Sequence, residues 1–78
     1  MTRRLTAIIQ REGDGFTALC PELDVASCGD SPDDALAMLR EAVELYLDNA
    51  RQLGIWDDIR PVLESGGRFT APLTVTMP

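Results

Sequence analysis

Asp30-Ser31-Pro32-Asp33-Asp34-Ala35-Leu36-Ala37-Met38-Leu39 decides the fold, because it opens a long amphipathic helix in the middle of a 78-residue chain. Ser31 suits the N-cap, Pro32 the first helical position, and Asp34 the capping-box position three residues after the cap, where Glu or Gln is usual. Asp33 and Asp34 also complement the positive end of the helix dipole. At about 100° per residue, Ala35, Leu36, Leu39, Ala42, Val43, Tyr46, Leu47, Ala50 and Leu53 form one apolar stripe, with Arg40, Glu41, Glu44, Asp48 and Arg51 opposite. The helix is predicted to run to about Leu53 and stop at Gly54. Met38 and Leu45 fall on the flank of the stripe. They need cover from another element or from a second subunit, and are the candidate oligomer-interface residues.

Before this helix the period changes from 3.6 to 2. Leu5, Ala7 and Ile9 alternate with Arg4, Thr6 and Gln10, the pattern of a strand with one buried face. In Glu12-Gly13-Asp14-Gly15 the Asp-Gly pair is expected to supply the positive φ of a hairpin turn. Phe16, Ala18 and Cys20 then share one face of a second strand that Pro21 stops, and Val25 to Cys28 make a short third strand. After the helix, Ile55, Trp56, Ile59, Val62 and Leu63 keep helical spacing around Pro61. A short helix, kinked or split, is expected there, with Trp56 as its core anchor, and this helix is the natural lid for Met38 and Leu45. Ser65-Gly66-Gly67 reads as a loop. Leu73, Val75 and Met77 alternate with Thr74 and Thr76 in a predicted last strand. The result is one α+β domain over residues 1–78, ordered βββα, short helix, β. One helix covers one face of a mostly antiparallel sheet. The other face, with Thr6, Ile8, Thr17, Leu19, Thr74 and Thr76, is left mixed, which favours a homodimer or higher oligomer.

Composition narrows the function. Thirteen acids against seven arginines give a net charge of −6, and there is no histidine. Residues 12–50 alone carry −9, so no basic footprint for a phosphate backbone exists and autonomous nucleic-acid binding is not expected. Without histidine or lysine, Ser31, Cys20 and Cys28 lack the usual activating base, and no catalytic residue is assigned. Asp30, Asp33 and Asp34 are explained by turn formation, capping and the dipole, so no metal site or cofactor is assigned either. Cys20 and Cys28 match no zinc or redox spacing and read as small half-buried thiols of a reducing compartment. The longest apolar run near the N-terminus, Ala7 to Ile9, is too short for a signal sequence, and nothing approaches a membrane span; a cytoplasmic protein is the default expectation. What remains is an acidic surface that would steer a cationic partner, with Glu22, Asp24 and Asp30 as its candidate contacts.

The run Gly15 to Ala35, with Pro21-Glu22-Leu23 after a strand, Ser27-Cys28-Gly29-Asp30-Ser31 leading into the cap, and Glu41-Ala42-Val43-Glu44-Leu45-Tyr46-Leu47 on the helix, resembles the HicB-like antitoxin family. The resemblance covers about residues 5–50. It implies a partial RNase H-like fold without ribonuclease activity, and a type II toxin–antitoxin role in which the domain masks a small basic HicA-type mRNA-cleaving toxin. Repressing members of that family carry a C-terminal DNA-binding segment; none is expected here, and with it no autonomous DNA binding. Two other readings stay open: a solitary oligomeric binding or structural domain without a toxin, and a small carboxylate-based metal-dependent hydrolase.

Overall fold

The computed structural model describes residues 4–64 and 71–78. Three antiparallel strands in the order β1-β2-β3 are followed by two helices, an α+β arrangement as the periodicities imply. β1 spans Ile8–Glu12, β2 Gly15–Cys20 and β3 Val25–Gly29; α1 spans Pro32–Gln52 and α2 Trp56–Glu64. The predicted 65–67 loop lies outside the described residues.

β1 pairs with β2 from Ile8↔Leu19 to Glu12↔Gly15, and β2 with β3 from Phe16↔Gly29 to Cys20↔Val25. The hairpin loop is therefore Gly13-Asp14, one residue earlier than the Asp-Gly reading. Gly13 carries the positive φ of 60° at the first central position, the type II′ arrangement. Phe16, Ala18 and Cys20 share the face that α1 covers, as their alternation implies. Ala18, Cys20, Ala35 and Leu39 form the buried core, with Leu5, Phe16, Leu23, Val25 and Val43 packed around it. Small residues dominate because sheet and helix approach closely. A Cβ built on Gly29 would lie 2.5 Å from the backbone nitrogen of Ala35, so only glycine lets β3 turn into the helix here.

The start of α1 follows its sequence. Asp34 donates its backbone N–H to Ser31 Oγ at 3.0 Å, and the Asp34 carboxylate accepts the N–H of Asp30 at 2.9 Å. The return bond goes to the N–H of Asp30, one residue before the Ser31 cap, rather than to the cap's own N–H as in a standard box. At the other end Gly54 has φ 74°, Ile55 N–H donates to the Ala50 carbonyl and Gly54 N–H to that of Arg51. This pair of bonds is the Schellman closure.

Two expectations fail downstream. α2 is the short helix expected around Pro61, continuous over nine residues. Its buried residue is Ile59, and Met38 and Leu45 stay 38% and 60% exposed, so α2 is not their lid. Residues 71–78 form no strand, and Leu73, Val75 and Met77 are 87%, 64% and 77% exposed. The sheet thus has three strands rather than four. β1 also starts three residues later than its alternation suggested, and residues 4–7 run outside any strand.

Candidate partner-binding surface

The three acidic residues singled out from sequence do not form one patch. Glu22 and Asp24 lie in the β2–β3 turn, whereas Asp30 lies past the far end of β3, beside the β1–β2 hairpin. Six-residue β2 separates the two ends by roughly 17 Å at about 3.3 Å per residue.

Glu22 is half-buried and its carboxylate is already engaged. It accepts the backbone N–H of Thr6 at 2.9 and 3.2 Å and the Thr6 hydroxyl at 2.8 Å, and Cys20 Sγ approaches at 3.6 Å. Burial raises its pKa, but the hydrogen bonds from Thr6 and from nearby backbone amides outweigh that and hold it below the ordinary carboxylate value. Its role is to clamp the segment before β1 onto the β2–β3 turn. The neighbouring Cys20 thiol is pushed up, first by burial and then by the Glu22 charge, which makes it a core residue rather than a nucleophile. Cys28 is exposed on the opposite face of the sheet, so the two thiols are not alike as the sequence reading had them. Asp24 is exposed with φ 54°, a left-handed conformation that Asp tolerates better than most residues.

Asp30 has different company. It shares a shallow depression of about 320 Å³ with Glu12, Gly15, Phe16, Thr17, Cys28 and Gly29. Asp14 in the hairpin loop and Asp33 in the first turn of α1 are exposed at the same end of the molecule. Among the described residues no cation forms an ion pair with Glu12, Asp14, Asp30 or Asp33; Arg11 lies over the Phe16 ring at 4.9 Å instead. Hairpin pairing, not sequence spacing, brings Glu12 and Asp14 of the acidic surface to the Asp30 end of the sheet. Among the described residues no group of three His, Cys, Asp or Glu side chains is placed to hold a metal ion.

The second surface is mostly apolar, with Arg4, Arg40 and Glu44 also in its lining. A groove of about 610 Å³ runs between residues 4–7 and the two helices, floored by Leu5, Leu36, Leu39, Val43, Leu47 and Trp56. Trp56 is half-buried there, so it lines an open groove as well as anchoring α2. Met38 and Leu45, the candidate oligomer contacts, are outside this lining. No helix among the described residues is long and apolar enough to cross a membrane. No protein-family model, curated protein or solved structure matches the chain.

Proposed function

We propose that this chain is a non-enzymatic, antitoxin-like protein that binds and masks a small basic mRNA-cleaving toxin of the HicA type. The observation that carries this reading is the set of exposed carboxylates Glu12, Asp14, Asp30 and Asp33 at one end of the domain, unpaired by any described cation. A field of one sign around a concave surface steers a cationic partner and fixes its orientation. The absence of histidine and lysine from the chain supports binding over catalysis, because the usual proton-transfer groups are missing. The resemblance of residues 15–47 to HicB-like antitoxins supplies the partner class. Glu22 drops out of the contact set, since its oxygens serve Thr6. Asp30 becomes its centre, with Asp24 more remote. Cytoplasmic residence goes with this reading, as mRNA cleavage occurs there.

Co-expression with the product of the adjacent reading frame tests the proposal. A small, basic neighbour that arrests growth alone, and whose complex with this chain loosens on Asp30→Asn and on raising salt, is the expected result. A neighbour that is neither basic nor toxic, or a complex indifferent to both changes, contradicts it.

A further inference from the structure

The apolar groove and the C-terminal segment answer one another. One wall of the groove is residues 4–7, which lead into β1, and β1 is an edge strand with β2 on one side and no described strand on the other. An edge of this kind, with apolar side chains exposed beside it, is a template for one more strand. Residues 71–78 have the composition of that strand. They contain no charged side chain, and Leu73, Val75 and Met77 share one face at a period of two, with Thr74 and Thr76 on the other. Pro72 sits where a strand would begin, a position that tolerates it. In place along the edge, the apolar face would meet Leu36, Leu39, Val43, Leu47 and Trp56, while the threonines would point away from the helices.

Within its own chain the segment does none of this. All eight residues are exposed. The radius of gyration is 14.6 Å, where a compact domain of this length has about 11.5 Å, and the longest dimension is 48 Å. The segment is carried away from its own groove, which leaves both groove and segment unsatisfied. A domain this small gains proportionally more than a large one from burying apolar surface in a second copy.

We propose that residues 72–77 of one copy lie as an added strand in the groove between residues 4–7, α1 and α2 of a second copy, so that two chains exchange their C-terminal segments. The exchange is independent of the toxin-masking reading, because it uses residues 4–7, before the end of β1 opposite to Asp30, and needs no other protein. It also differs from an interface centred on Met38 and Leu45, which lie outside the groove.

Sedimentation equilibrium of the full chain from micromolar to millimolar concentration is the first readout, with the emission of Trp56, the single tryptophan, followed in parallel. The expected particle has twice the 8.5 kDa mass of one chain, with a blue shift of Trp56 emission on association. Val75→Asp is expected to weaken association at least tenfold while the helical circular dichroism is kept. A mixed sample of isotope-labelled and unlabelled chains supplies a readout free of any variant: contacts between the Val75 or Met77 methyls of one copy and the Trp56 ring of the other are expected. A monomer at millimolar concentration overturns the proposal. So does a dimer that Val75→Asp leaves intact, or one whose methyl-to-ring contacts occur only within a single copy.

Discussion

The two ends of this chain are built to different degrees of completion. From Leu5 to Gly29, and on through the first turns of α1, the named polar groups at turn and cap have partners. Ser31 caps the helix, Asp34 returns to Asp30, Glu22 ties down Thr6, and Ala18, Cys20, Ala35 and Leu39 exclude water. From Leu45 onward apolar groups outnumber the places that cover them. Leu45, Leu53, Leu73, Val75 and Met77 are all more than half exposed, and Ile59 is the one buried residue of α2. One half is a closed core of short side chains; the other is a set of surfaces that need something more. The first half therefore carries the buried core, and under the exchange proposed above the second half would carry assembly.

Substitutions sharpen this contrast in order of expected size. Leu39→Ala, at a side chain 3% exposed, removes core volume and is expected to cost about 3 kcal/mol in denaturant unfolding. The same truncation six residues on, Leu45→Ala, is expected to change stability by less than about 0.5 kcal/mol in dilute protein, since the side chain is already in water. Equal losses at the two sites would abolish the contrast. Ser31→Ala deletes the bond to the Asp34 N–H and is expected to cost about 1 kcal/mol.

Glu22→Gln acts through pH. The native carboxyl titrates below its unfolded value near 4.5, so Glu22 stabilises the fold above that pH, and this contribution is lost as pH falls through the native pKa. The wild type is expected to lose stability on acidification below about pH 4.5 more steeply than the variant, as read from urea unfolding at several pH values. Parallel pH profiles would mean that the Thr6 bonds do not discriminate the charged form.

What the sequence disclosed follows the same division. The α1 cap, the Gly54 stop and the three strands rest on local rules, and each was legible within a few residues of where it acts. The hairpin slipped by one residue because Gly13-Asp14 and Asp14-Gly15 both offer a glycine, and only the Glu12↔Gly15 pairing chooses between them. Glu22 read as a free surface acid because its partner, Thr6, is sixteen residues away in sequence. The alternation of Leu73, Val75 and Met77 states a strand's preference but not which edge it joins, so a fourth strand was expected inside a chain that does not place it there. Met38 and Leu45 looked in need of a lid for a related reason: helical spacing identifies an uncovered face and is silent on what covers it.

The central claim, that a complete half carries the fold and an incomplete half awaits a second copy, is most directly tested by amide hydrogen exchange at residue resolution on dilute and concentrated samples. The account predicts slow exchange in β2, β3 and the first half of α1 at both concentrations, and protection of Leu73 to Met77 that appears only on concentration. Exchange from Leu73 to Met77 as fast as an unfolded chain at every concentration, or protection that persists unchanged on dilution to the monomer, would contradict it.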